Sequence, residues 1–147
     1  MREKAIILDV DGVVLDSSAI FRELFEKKLK FEEKWKYFRE NCNSERVSFI
    51  KSSLELIQGL NEDVKIILLT ARNEKCRKET EARLKAENFT YHELYMRPED
   101  NYEESNVLKG KILFELKGVY DIIAFIDDEL SNCLAAKDLG ILALRKV

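Results

Sequence analysis

The sequence predicts a doubly wound, Rossmann-like α/β fold: a parallel five-stranded sheet with helices on both faces and a helical insertion after the first strand. Two observations carry this expectation. Five short runs rich in Ile, Val and Leu alternate along the chain with stretches of helical period. Three of those runs, Ala5 to Leu8, Val64 to Leu69 and Ile122 to Ile126, are continuously apolar rather than alternating, the pattern of strands buried on both faces of a parallel sheet.

Taken in order, the first strand follows a charged start, Met1-Arg2-Glu3-Lys4, and ends at Asp9. Residues 17 to 60 then form a connection too long for a plain crossover, with room for three helices. Within it Val47, Ile50, Leu54 and Ile57 recur at i, i+3, i+7 and i+10 and predict a helix ending near Gly59. The same stretch holds Phe21, Phe25, Phe31, Trp35, Tyr37, Phe38 and Phe49, which either pack its helices onto the sheet or line a pocket as a small cap. The second strand, Val64 to Leu69, leads into a charged helix over 73 to 88. Tyr91 to Met96 is the third strand. A helix over 105 to 117 carries Ile112, Leu113 and Leu116 on its inner face, the fourth strand is Ile122 to Ile126, a helix over 129 to 139 stops at Gly140, and Ile141 to Leu144 closes the sheet. No repeat divides the chain, so residues 1 to 147 read as one domain.

Composition narrows the functional classes. A chain of 147 residues with 46% hydrophobic and 36% charged residues is large enough for one core, and five Gly and one Pro are too few for a linker-rich or low-complexity protein. No apolar run approaches the ~20 residues of a membrane span, and no leader pattern precedes the first strand, which leads to the expectation of a cytoplasmic protein without a membrane partner. The net charge of -3 creates no global field for nucleic acid. Cys42, Cys76 and Cys133 are far apart and lack the close pairing of zinc or redox motifs, so they are expected as buried free thiols.

Ligands of an open parallel sheet bind beyond the carboxyl ends of its strands. There the sequence sets Asp9 and Asp11 in Asp9-Val10-Asp11-Gly12-Val13-Val14 after strand one, Thr70 in Leu68-Leu69-Thr70-Ala71-Arg72 after strand two, and Asp127 and Asp128 after strand four. Four carboxylates gathered on one edge would repel one another unless a cation sat among them, and the lack of nearby Cys or His ligands favours a hard ion such as Mg2+. Lys109 shares the buried helix face with Ile112, Leu113 and Leu116; its charge is matched by the carboxylates and an incoming phosphate, or its stem reaches solvent.

The order Asp-x-Asp, Thr, Lys, Asp-Asp resembles the haloacid dehalogenase (HAD) superfamily of phosphotransferases over nearly the whole chain. Leu69-Thr70-Ala71-Arg72 and Tyr95-Met96-Arg97-Pro98 leading to Lys109 look like the capless 3'-phosphatase domains of polynucleotide kinases, which usually have an acid or amide where this chain has Ser105. The resemblance implies an Mg2+-dependent phosphohydrolase. Asp9 would be the nucleophile forming an aspartyl-phosphate, and Asp11 the general acid and base. Asp9, the Asp11 carbonyl and Asp127 would hold Mg2+, with Asp128 in support. Thr70, the Ala71 amide and Lys109 would bind the phosphoryl group. Arg72 either forks onto substrate or lies on the surface at the start of a helix. Asn132 either orients the acidic pair or is an exposed amide, and His92 reads as structural. The partner is a phosphorylated substrate: a nucleic-acid 3'-end or nucleotide, or alternatively a sugar phosphate. A signalling receiver domain also uses an aspartyl-phosphate, but there the acidic pair, the phosphorylated Asp and the Lys follow a different order along the chain. A phosphatase-like scaffold that only binds partners would be expected to lack Asp9 or Asp11.

Overall fold

The computed structural model describes all 147 residues. Its strands are β1 (Lys4–Leu8), β2 (Leu15–Asp16), β3 (Ser48–Phe49), β4 (Val64–Asn73), β5 (Glu93–Arg97), β6 (Asp121–Asp127) and β7 (Ala143–Arg145). Its helices are α1 (Ser18–Lys27), α2 (Phe31–Asn41), α3 (Lys51–Gln58), α4 (Arg77–Ala86), α5 (Ser105–Lys117) and α6 (Leu130–Asp138). Five strands form the main sheet in the order β5-β4-β1-β6-β7, every neighbouring pair parallel. The chain winds from β1 outward through β4 and β5, then returns to the other side through β6 and β7, so helices cover both faces.

The period-two geometry of the strands explains their continuous apolar character. Ile6, Leu8, Ile66, Leu68, Ala124 and Ile126 point into one core with Phe38 of α2 and Leu84 of α4. Their neighbours Ala5, Ile7, Ile67, Leu69 and Phe125 point into a second core with Leu113 and Leu116 of α5 and Ala136 of α6. Ile7 is fully buried between β4 and β6, and truncating such a side chain to alanine costs about 2 to 5 kcal/mol.

Three boundaries depart from the sequence expectation for identifiable reasons. The helix expected from Val47 begins at Lys51, because Ser48 and Phe49 pair with Asp16 and Leu15 in a two-residue antiparallel ladder and the Ile50 amide donates to the Val14 carbonyl at 2.9 Å. Val47 is buried before the helix starts, so strand and helix residues together imitate one helical face. The helix expected from residue 73 begins at Arg77, since β4 runs on to Asn73, whose side chain then accepts from the Lys75 amide at 3.0 Å and opens a short 3-10 turn. At the third strand, His92 precedes β5 and completes the ladder itself: its Nδ1 accepts from the Ile66 amide at 2.9 Å while its own amide donates to the Ile66 carbonyl at 2.8 Å. The expected structural role of the single histidine is thereby met.

Residues 17 to 60 carry three helices, as their length suggested. Their aromatic side chains do both things considered for them. Phe38 is buried in the core, whereas Phe21 and Trp35 join it on the wall of a cavity and Phe25 is exposed. No helix is long and apolar enough to cross a membrane.

Candidate active site

The carboxyl ends of β1, β4 and β6 open into a cavity of about 380 Å³ walled by Phe21, Trp35 and Phe38 on the insertion side. Its floor is made by chain segments that the parallel sheet brings side by side. β1 leads to Asp9 and Asp11, β4 carries Thr70, Ala71 and Arg72, α5 contributes Lys109, and β6 leads to Asp127 and Asp128. The turn after β1 is tight. The Val14 and Leu15 amides both donate to the Val10 carbonyl at 2.9 Å, and Gly12 sits at φ +83°, where a side chain is strained. A Cβ on Gly12 would lie 2.1 Å from Asp128 Oδ2, so glycine here also makes room for that acid.

Lys109 is the electrostatic centre. Its side chain is 2% exposed, and its Nζ lies 2.9 Å from Asp9 Oδ1 and 2.7 Å from Asp127 Oδ2. Burial disfavours its charge, but Asp9 and Asp127 outweigh that and hold its pKa above the ordinary lysine value. Asp9 Oδ1 also accepts from the Val10 amide at 2.8 Å, so the two donors to this acid converge on one oxygen. Burial raises the Asp9 carboxyl well above the usual range; Lys109 pulls it down in part, and Asp127 and Asp11 push it up again. Asp127 is fully buried, with Oδ1 accepting from the Glu129 amide at 2.9 Å and Oδ2 from Asn132 at 3.1 Å as well as from Lys109.

Asp11 and Arg72 form a second, separate pair. Arg72 Nε donates to Asp11 Oδ2 at 2.9 Å and Nη2 to Oδ1 at 2.6 Å, the two-pronged geometry that makes such pairs strong. Ser17 Oγ donates to Asp11 Oδ1 at 2.6 Å, Arg72 Nη1 donates to Thr80 at 3.0 Å, and the guanidinium lies 4.8 Å over the Phe38 ring. Burial alone would raise the Asp11 carboxyl, but Arg72 and Ser17 outweigh it and hold the group below its ordinary value.

The structure narrows two of the sequence readings, those of Arg72 and Asn132. Arg72 is neither a surface residue nor free for a substrate: it is 2% exposed, and its donors are turned to Asp11, Ser17 and Thr80. Its place at the end of a buried strand, rather than the start of a solvated helix, is the physical reason. Of the acidic pair, Asp128 lines the cavity, and Asp127 lies beneath it with both oxygens accepting hydrogen bonds. Asn132 is buried and bonded to Asp127, which excludes the exposed-amide reading. Thr70 is fully buried with its hydroxyl accepting from the Arg72 amide at 3.1 Å, and it lines the cavity with Ala71.

Ser17 and Thr80 support the site through Asp11 and Arg72 but were not read from the sequence as doing so, whereas Phe38 was among the aromatics expected to pack or to line a pocket. Gly12 carried a local signal, its position directly after the acids. The donor set suits a hard cation. One oxygen from each of Asp9, Asp127 and Asp128 lies within 4.8 Å of the others, no sulfur or imidazole joins them, and the buried Asn132 Oδ1 beside them has no hydrogen-bond partner.

Acids gathered around a buried lysine, beyond the carboxyl ends of the strands of a doubly wound sheet, have the charge arrangement that phosphoryl transfer requires. Residues 1–144 match the HAD superfamily, subfamily IIIB (Acid phosphatase), and the chain belongs to that family. No curated protein sequence matches the chain. Among solved structures, the chain is similar to one in a Pnkp1/Rnl/Hen1 complex, at 20% identity and TM-score 0.68, covering 99% of this chain and 46% of that one. It therefore spans less than half of that relative. A class C acid phosphatase from Bacillus anthracis aligns at 19% identity and TM-score 0.63 over 95% of this chain and 62% of that one. A HAD family enzyme from Bacteroides thetaiotaomicron, solved as a magnesium complex, aligns at 18% identity and TM-score 0.62 over 99% and 94%. At these identities the likeness is one of fold.

Proposed function

We propose that the chain hydrolyses phosphomonoesters through an aspartyl-phosphate on Asp9 in an Mg2+-dependent reaction, with a nucleic-acid 3'-phosphate as the substrate. The observation that carries this reading is Lys109, buried between Asp9 and Asp127 at the cavity floor. The two donors to Asp9 both engage Oδ1, which leaves Oδ2 to attack. As the Asp9 oxygen bonds to phosphorus, the bond from phosphorus to the leaving oxygen breaks, and Asp11 gives that oxygen its proton. A water then attacks the same phosphorus, Asp11 takes the water's proton, and the Asp9 carboxylate is released with inorganic phosphate. Arg72 keeps Asp11 ionised in the resting site, which suits the second step; an incoming phosphate dianion opposes Arg72 and raises Asp11 towards the protonated form the first step needs. Thr70, the Ala71 amide and Lys109 hold the phosphoryl oxygens, and Asn132 fixes Asp127, which in turn fixes Lys109.

Mg2+ held by Asp9 and Asp128 with the Asp11 carbonyl would offset the repulsion between an anionic nucleophile and an anionic phosphate. The preference for a polymer end draws on the aromatic wall, where Phe21 and Trp35 offer surface to a base or sugar with Phe38 packed behind them, and on the likeness to a structure named as an RNA repair complex. The proposed enzyme works in the cytoplasm on such ends. Initial rates on an aryl phosphate, a 3'-phosphorylated oligonucleotide, a mononucleotide and a sugar phosphate, each with Mg2+ and with excess chelator, test it. Hydrolysis lost in chelator, and kcat/KM for the oligonucleotide at least equal to that for the small substrates, is the expected pattern. Full activity in chelator sinks the metal assignment, and a strong preference for a small substrate makes the chain a metabolite phosphatase.

A further inference from the structure

Three cations, Arg72, Arg97 and Lys109, line the cavity, and they are not equivalent. Arg72 is neutralised by Asp11, and Lys109 by Asp9 and Asp127. Arg97 has no carboxylate within salt-bridge distance. The nearest candidate, Glu103, pairs instead with Lys111. Arg97 is nevertheless only 9% exposed, so its charge has left most of its water with no direct ion pair, Glu103 acting on it only at longer range. Burial accordingly lowers its pKa from the ordinary arginine value.

The side chain is also held in place. Nε donates to the Ala71 carbonyl at 3.1 Å, and Nη1 donates to Asn101 Oδ1 at 2.8 Å and to the Glu103 carbonyl at 2.6 Å. Nη2 has no protein acceptor. Ser105 lines the same cavity as the first residue of the 13-residue α5, whose N-cap Glu104 makes no side-chain cap. The first amides of α5 to bond back to the Glu104 carbonyl are those of Val107 and Leu108, at 3.1 and 3.0 Å. A guanidinium held by three hydrogen bonds with one open edge, lining the same cavity as an uncapped helix start, suits an oxyanion.

We infer that Arg97 and the start of α5 bind a second anionic group of the substrate, distinct from the phosphoryl group that Asp9 attacks, and so select phosphomonoesters whose leaving group is itself an anion. This rests on the phosphohydrolase reading above and adds the chemistry of the leaving group to it. A backbone phosphodiester and a small carboxylate offer the same oxyanion.

Two matched pairs of substrates separate these sources: thymidine 3'-phosphate against a thymidine dinucleotide ending in a 3'-phosphate, and ethyl phosphate against 2-phosphoglycolate. A charge-assisted hydrogen bond in a part-buried site is worth about 10- to 100-fold in kcat/KM. The wild type at low salt is expected to prefer the doubly anionic member of at least one pair by about tenfold or more. Arg97→Gln is expected to shrink that ratio by about fivefold or more, with added salt shrinking it in the wild type alone. Preference in the first pair identifies the diester, and in the second the carboxylate. Ethyl phosphate hydrolysis with no preference in either pair overturns the inference and leaves the phosphohydrolase reading standing. A ratio unchanged in Arg97→Gln also overturns it. If that variant does not fold, the wild-type ratios and their salt dependence decide, and no turnover of any of the four substrates overturns both readings.

Discussion

Replacing Arg72 with methionine tests whether this arginine serves Asp11 rather than a substrate. The guanidinium is 1% exposed in its side chain and gives Asp11 two bonds, so its loss leaves an acid, 18% exposed in its side chain, without a counter-charge. Breaking a buried pair from one side costs about 3 to 5 kcal/mol. Partial exposure of Asp11 and its remaining Ser17 bond place the expected loss near the lower end, about 3 kcal/mol. The loss depends on pH with a definite sign. In the wild type Arg72 holds Asp11 below its ordinary range, so the pair's contribution is present above the unfolded-state pKa of about 3.9 and fades only as pH falls through the lower folded value. In the variant burial acts without Arg72 and raises Asp11, so acidification towards that raised value relieves the penalty. Urea unfolding at pH 7 and pH 5 measures this. The destabilisation should be about 3 kcal/mol at pH 7 and smaller at pH 5. A loss below about 1 kcal/mol, or one identical at both pH values, refutes the assignment.

Asp9→Asn should abolish turnover while leaving the melting temperature within a few degrees, because the amide keeps the shape but cannot form the acyl-phosphate; calorimetry beside a phosphate-release assay checks both halves. Asp11→Asn should slow turnover by ~100- to 10,000-fold, more for an alkyl than an aryl phosphate, since a good leaving group needs its proton least; equal losses on both would remove the acid role. Gly12→Ala should raise the Mg2+ concentration for half-maximal activity at least tenfold, because its Cβ would displace Asp128 Oδ2, 2.1 Å away; an unchanged metal titration would show that Asp128 does not take part.

The main sheet was legible because its central strands are buried on both faces and read as unbroken apolar runs. The positions of Asp9 and Asp127 followed from that sheet, since each stands at or just beyond the end of a strand; Thr70 followed the apolar run of β4, and Lys109 was legible from the buried face of α5 that it shares with Leu113 and Leu116. What the sequence could not carry was side-chain direction. Asp127 and Asp128 are adjacent and chemically identical, and only the closing turn of β6 decides which one meets the cavity and which one receives Lys109 and Asn132. Arg72 was ambiguous for a similar reason: its partners Asp11, Ser17 and Thr80 are 61, 55 and 8 residues away, beyond any local pattern. The β2 and β3 pair was invisible because two residues per strand leave no period to detect, and Val47 lent its burial to a helix that had not yet begun.

The covalent role of Asp9 is tested most directly by trapping. The wild type, mixed with a fast aryl phosphate and Mg2+, is quenched in acid within one turnover, and the peptide containing Asp9 is weighed before and after borohydride reduction. A phosphoryl adduct on that peptide, converted by reduction to homoserine at position 9 and missing from Asp9→Asn, is the predicted result. Phosphate released at the full rate with the adduct on another residue, or undiminished turnover in Asp9→Asn, would contradict it.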